Sequence, residues 1–289
     1  HAGTNTETMR RRSGEMRWVQ RIADAVQHDR FLLFGQMITP MHPELDDGRL
    51  ALEVLLRMQD DGGLGLIAPG QFLPAAERYG MVPDIDRWVV RNSLEWLAGL
   101  GRTAEELRIN INICGPSASD PQFHAFVRSC IAKTGVPPRS LCFEITESTA
   151  IRSLANAAAL IDALGDLGCR FALDDFGSKL TSFSYLNKLP VEYLKIDGSL
   201  VREMVDNRLD HAMVAAINQI GHIMGIKTIA EFVEDEATLH AVNEIGVDYA
   251  QGYFIARPTP IEAGLFSAPV RIELPGQDQY EEMLRPAAE

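Results

Sequence analysis

Cysteine is scarce in this chain: Cys114, Cys130, Cys142 and Cys169 are the only four in 289 residues. No two stand at CxxC spacing, which excludes a disulfide scaffold and the common cysteine zinc sites. They read as buried free thiols in a reducing compartment. Long apolar runs are missing too. None reaches the roughly 18 residues of a membrane-spanning helix, so this piece is expected to be soluble, with no membrane contact of its own. No Gly-x-Gly-x-x-Gly follows a strand-like segment, which removes the main support for an open nucleotide-binding sheet. The seven histidines show no metal-ligand spacing. No signal-peptide pattern is read in the first residues, where Arg10-Arg11-Arg12 runs into Ser-Gly-Glu rather than an apolar stretch. Positive charge is in deficit: 27 Lys and Arg face 40 Asp and Glu, a net charge of −13. A broad DNA-binding face needs clustered cations and is excluded. A small anionic ligand is not, since bound metal ions can invert the local charge.

What is present is an ordinary globular balance, 46% apolar and 23% charged, so disorder is excluded for most of the chain. Short apolar runs alternate with amphipathic ones. The pattern predicts strands over residues 31–38, 50–56, 107–113, 141–146, 170–174, 193–197, 227–231 and 249–255. Helices are expected over 69–79, 83–100, 121–134, 151–167, 208–224 and 236–245, several ending at glycine: Gly80, Gly135, Gly168, Gly225 and Gly246. The first two strands adjoin across a polar turn, so the opening of the chain reads as a hairpin. Eight strands alternating with helices over about 250 residues fit a (β/α)8 barrel. Residues 1–15 read as a linker, 16–265 as the barrel domain and 266–289 as a polar tail.

Acids recur at the C-terminal ends of these strands. Glu53 and Arg57 lie in the second, Asn112 in the third and Glu144 with Glu147 at the fourth. Asp174 and Asp175 end the fifth, Lys195 and Asp197 the sixth, Glu231 and Glu234 the seventh, and Gln251 lies in the eighth. A single acid in such a place is ordinarily a turn former or a helix cap. In a parallel barrel, however, these strand ends meet at one mouth. Five carboxylates gathered there repel by several kcal/mol per close pair at an effective dielectric of about 20, and Lys195 and Arg57 are too few to neutralise them. Oxygen ligands without His or Cys favour Mg²⁺, Mn²⁺ or Ca²⁺. Adjacent Asp174 and Asp175 could bridge two ions, the arrangement used for in-line displacement at phosphorus.

These residues carry a resemblance. Glu53-Val-Leu-Leu-Arg57 is similar to the Glu-Ala-Leu-Leu-Arg motif of the EAL family of cyclic di-GMP phosphodiesterases. Further matches are Phe72-Leu-Pro-Ala-Ala-Glu77, Glu144-Ile-Thr-Glu147, Asp174-Asp-Phe-Gly177, Leu189-Pro-Val-Glu-Tyr-Leu-Lys-Ile-Asp197, Ala230-Glu-Phe-Val-Glu234, and Gln251-Gly-Tyr253 with Arg257-Pro258. The resemblance implies a modified (β/α)8 TIM-like barrel, class α/β, whose first strand is antiparallel. It implies two Mg²⁺ or Mn²⁺ ions, with Ca²⁺ inhibitory: Glu53, Asn112, Glu144 and Asp174 hold one, and Asp174, Asp175 and Glu231 the other. Glu53, Lys195 and Gln251 are implied to be catalytic, the last two orienting or activating the attacking water. Gln36, Arg57, Asp197, Glu234 and Tyr253 are implied to contact substrate, and Glu147 to anchor the loop after the fifth strand. The implied reaction is hydrolysis of cyclic di-GMP to linear pGpG.

Val54 for Ala, Met37 for Pro and Met58 for Trp are small departures from the family pattern, and two others bear on turnover. The loop after Asp-Asp-Phe-Gly reads Ser178-Lys-Leu-Thr-Ser182 where the family typically has Thr-Gly-Tyr-Ser-Ser. Phe232 stands where a glycine is usual, adding bulk beside Glu231. These departures keep open an alternative, a cyclic di-GMP receptor without turnover, and behind it a plain interaction module. The resemblance further implies a homodimer, a cytoplasmic location, and an upstream GGDEF or sensory domain in a parent chain that membrane spans could anchor.

Overall fold

A computed structural model describes residues 16–42, 45, 48–60, 62, 65–178 and 183–263. The linker, the tail and Lys179–Ser182 of the altered loop therefore lie outside the described residues.

Helix α1 covers residues 16–27. It leads into β1 (Phe31–Pro40), which pairs antiparallel with β2 (Leu50–Gln59) over eight residue pairs, from Phe31 opposite Met58 to Ile38 opposite Ala51. The expected opening hairpin is thus present. A two-residue strand β3 (Leu66–Ile67) extends β2 antiparallel. From there the chain alternates. Helices α2 (Pro69–Arg78) and α3 (Val82–Gly99) precede β4 (Leu107–Asn112), and α4 (Gly115–Ala118) and α5 (Pro121–Thr134) precede β5 (Leu141–Thr146). Next come α6 (Glu147–Arg152), α7 (Leu154–Gly165), β6 (Arg170–Phe176) and β7 (Tyr193–Ile196). The last units are α8 (Gly198–Glu203), α9 (Arg208–Ile223), β8 (Lys227–Ala230), α10 (Glu236–Ile245), β9 (Tyr249–Ala250) and β10 (Thr259–Pro260).

Strands β2, β4, β5, β6, β7, β8 and β9 run parallel in that order, and β1 closes the ring by pairing antiparallel with both β2 and β9. The eight-stranded barrel and its reversed first strand are therefore as expected. So are the helix ends: Gly80, Gly135, Gly168, Gly225 and Gly246 all take positive φ, which glycine adopts without a Cβ penalty.

Two expectations need correction. The helix expected over 151–167 is two, broken at Ser153, whose backbone is extended at φ −151°. The strand expected over 249–255 stops at Ala250, because the chain turns where Gly252 lies so close to Val233 that a Cβ would sit 2.0 Å from its carbonyl oxygen. The short helices α4 and α8 had no separate signal.

Alternation along the strands stacks the barrel interior in layers. At the floor, the buried Arg108 guanidinium lies 4.4 Å from the Tyr193 ring centre and donates to its hydroxyl, while Tyr249, Cys142, Ile38 and Ala51 complete the layer. Two residues further along β4, Asn110 donates to Glu144 Oε1 at 2.7 Å, and two further again Asn112 donates to Glu53 Oε1 at 2.7 Å. A packed aromatic floor thus closes the barrel below, and its acids gather above.

Candidate active site

The acids meet on one ammonium. Lys195 projects from β7 into the barrel and is fully buried. Its Nζ lies 2.8 Å from Glu144, 2.8 Å from Glu231, 3.2 Å from Glu53 and 3.3 Å from Asp174. Four carboxylates against one cation is an imbalance that burial makes costly. Burial pushes the Glu144 carboxyl up to about 8, with Glu53 and Asp174 adding to the rise. Burial likewise raises Asp174, and lifts Glu231 well above the usual carboxylate range. Glu53 goes the other way. Burial opposes its charge, but the Lys195 ammonium and hydrogen bonds from Gln251 and Asn112 outweigh that and lower it. Lys195 itself is held far above its ordinary value, since the surrounding acids overcome its desolvation.

Asp174 and Asp175 could not share a pocket in a regular strand, where neighbours point to opposite faces. Here β6 is irregular. Its register with β7 shifts between Leu173 and Phe176, and Asp175 takes φ +54°. Such a bulge re-aims side chains, and a non-glycine residue at positive φ marks backbone strain of the kind found at functional sites. As a result, oxygens of Asp174, Asp175 and Glu231 lie within 4.8 Å of one another. Burial and the adjacent Asp174 and Asp197 raise Asp175 to about 6.

Above the acids is a cavity of about 280 Å³ lined by Gln36, Glu53, Arg57, Asp174, Asp175, Glu231, Phe232, Gln251 and Tyr253, among others. Most of the expected site residues are thus brought together. Gln251, just beyond β9, donates to Glu53 Oε2 at 2.6 Å and to Gln36 Oε1 at 3.2 Å, and Gln36 in turn donates to the Ala256 carbonyl at 3.0 Å. Arg57 lies over the Phe34 ring and donates to the Leu56 carbonyl. Glu144 and Asn112 stand beneath the cavity rather than on its wall. Asp197 caps α8, accepting from Ser199 N at 2.8 Å, and Glu234 is exposed; neither lines the cavity.

Glu147 sits at the start of α6, almost fully buried. Its Oε2 accepts from Gly177 N at 3.2 Å and its Oε1 from the Tyr185 hydroxyl at 2.6 Å. One carboxylate therefore ties together the chain before and after residues 179–182. Two participants escaped the sequence reading. Asn110 was legible in principle, because it alternates with Asn112 on the inward face of β4. Tyr185 carries no local signal, since only the fold brings it 38 residues back to Glu147.

The donor set fits divalent cations. It is all oxygen, the carboxylates outnumber the one buried ammonium, Asp174 Oδ1 meets only Lys195, and Gln251 Oε1 is buried with no hydrogen-bond partner. Hard cations such as Mg²⁺ and Mn²⁺ prefer such ligands.

A barrel with a reversed first strand and an acid cluster around a buried lysine at its mouth defines a TIM-barrel-like α/β domain with a candidate cation site. Comparison with known proteins gives the particular family. The sequence matches the EAL domain over residues 19–258, and the chain belongs to that family. It is 39% identical over 245 residues to the cyclic di-GMP phosphodiesterase PdeB of Shewanella oneidensis, covering 85% of this chain and 28% of that protein. The chain thus spans under a third of that relative's length. Among solved structures, the EAL domain of Xanthomonas citri FimX in complex with c-diGMP superposes with a TM-score of 0.79 at 29% identity, covering 87% of this chain and 97% of that one. The PaMucR phosphodiesterase in its c-di-GMP complex gives 0.78 at 30%, covering 86% and 100%. No helix among the described residues is long and apolar enough to cross a membrane.

Proposed function

We propose that this domain hydrolyses one phosphodiester bond of cyclic di-GMP, giving linear pGpG. The observation that carries the reading is the convergence of Glu53, Glu144, Asp174 and Glu231 on Lys195 beneath an open cavity. Glu53, Asn112, Glu144 and Asp174 are proposed to hold one Mg²⁺ or Mn²⁺, and Asp174, Asp175 and Glu231 a second. Bound cations supply neutralisation of the dianionic ligand and Lewis acidity toward its phosphoryl oxygens. The chain's own groups do the rest. Lys195 keeps its proton and orients the attacking water together with Gln251. Arg57, steadied on Phe34, reaches a phosphate, while Gln36 and Tyr253 line the groove. Asp197 and Glu234 would contact the ligand at the rim. Incubation with cyclic di-GMP and Mn²⁺ or Mg²⁺ is expected to release pGpG, with Ca²⁺ inhibiting and Glu53→Gln inert. No product under any metal, with tight binding retained, selects the receptor reading.

The homodimer is proposed to form through α9. Leu209, Met213, Ala216, Ile220 and Ile223 recur at alternating spacings of four and three along that helix, the pattern of a helix–helix seam. Leu209 is 69% and Ile223 77% exposed. Sedimentation is expected to show a dimer that Leu209→Glu with Ile223→Glu converts to monomer. Cytoplasmic action is in keeping with cysteines that are all free, and an upstream GGDEF or sensory domain is proposed because the relatives are several times longer than this chain.

A further inference from the structure

Phe232 is a bulky residue held in strained backbone without an evident chemical role. It follows Glu231 directly, takes φ +54° and is 45% exposed. A phenylalanine is an expensive choice at that φ, so something must hold it there. The neighbouring backbone is fixed on both sides. Glu231 N donates to the Ile196 carbonyl at the end of β7, and Val233 N donates to the Gln251 carbonyl just past β9. Residues 231–233 therefore arch across the top of β8, with Phe232 at the crown.

The ring does not stand free. It lies on the α-carbon of Gly198, the first residue of α8, so closely that a Cβ there would fall 2.0 Å from Phe232 Cδ2 and 2.7 Å from Cγ. One turn further along α8, the Arg202 guanidinium covers the ring at 4.0 Å from its centre. A cation on an aromatic face adds to the packing. The bulk that the sequence suggested would press on the second cation site is thus taken up by α8. Asp197, which caps α8, is two residues beyond Lys195.

We propose that Phe232 is a positioning residue. Its ring, wedged between Gly198 and Arg202, locks the strained arch and so fixes the Glu231 carboxylate beside Asp174 and Asp175. α8 then sets the geometry of the second cation site, and any shift of α8 is passed to Glu231 through the ring. Gly198 and Phe232 act as a size-matched pair: the wedge exists only because position 198 has no side chain. The inference rests on the two-cation reading above.

The test is Mn²⁺ binding by calorimetry, with no substrate present. Wild type is expected to bind two Mn²⁺. Gly198→Ala must displace the ring, and is expected to weaken one Mn²⁺ at least tenfold while leaving the other within about threefold. Phe232→Gly removes the ring that locks the arch and is expected to weaken the same ion at least tenfold, and adding Gly198→Ala to it is expected to cost no more than about threefold further, because the alanine then meets no ring. Arg202→Met adds no steric burden, guards against misfolding of the alanine variant, and is expected to weaken the same ion several-fold. Two tight Mn²⁺ ions in every variant, or a double variant far weaker than Phe232→Gly alone, would overturn the wedge while leaving the two-cation reading intact. A wild type that binds no Mn²⁺ would overturn that reading itself, and the wedge with it.

Discussion

Lys195→Met is expected to cost turnover by about three orders of magnitude, the scale of losing a positioned proton-bearing group, and to destabilise the fold in a pH-dependent way. Four carboxylates lie within 3.3 Å of the Lys195 ammonium. Removing one partner of a buried ion pair typically costs about 3–5 kcal/mol, because the other is left charged and unsolvated. Here the acids have an escape, which is to take up protons. At pH 6 the variant is therefore expected to melt close to wild type, and at pH 8 well below it. Saturating Mn²⁺ should recover much of the lost melting temperature, since cations can replace the missing positive charge. It should not recover the rate, since they cannot replace a proton held at that atom. A variant as active as wild type in Mn²⁺ would remove Lys195 from the chemistry. One equally stable at both pH values would show that the acids do not depend on it.

The fold was largely legible because the physics that sets it is local. Alternating apolar runs and glycine-terminated helices marked the barrel, and the polar break after Pro40 marked the reversed first strand. The acids were legible for a topological reason: in a parallel barrel, residues far apart in sequence share an end. What escaped depends on contacts no spacing encodes. Ser153 breaks a helix that its neighbours would continue, and Tyr185 comes back across 38 residues to Glu147, whose own place beside the loop was expected. The bulge that brings Asp174 and Asp175 to one side is a φ value rather than a residue type. Phe232 read as an obstruction because sequence shows its size and not its direction; the ring is laid against α8.

Neutralising Asp174 or Glu231 is expected to stabilise the cation-free protein while destroying its function. Burial raises Asp174 and Glu231, and holds Asp175 at about 6 and Glu144 at about 8, against about 4 for such groups in an unfolded chain. Between pH 4 and 8 the folded state therefore binds more protons than the unfolded one, and its stability falls as pH rises. Glu53, lowered by its partners, opposes this trend as one group against four. Lys195 stays protonated throughout and adds no slope. Asp174→Asn or Glu231→Gln removes one of the groups responsible. The melting temperature measured in chelator should rise relative to wild type, and more at pH 8 than at pH 6. Cation binding must displace the same protons, so the Mn²⁺-induced gain in wild-type melting temperature should itself grow from pH 6 to pH 8. In either variant that gain should shrink, and pGpG release should fall by at least a hundredfold. A cation-free wild type whose stability is flat or rising over that range would show that the four carboxylates are already neutralised within the protein, and would leave the cations without the electrostatic reason for binding that the cluster provides.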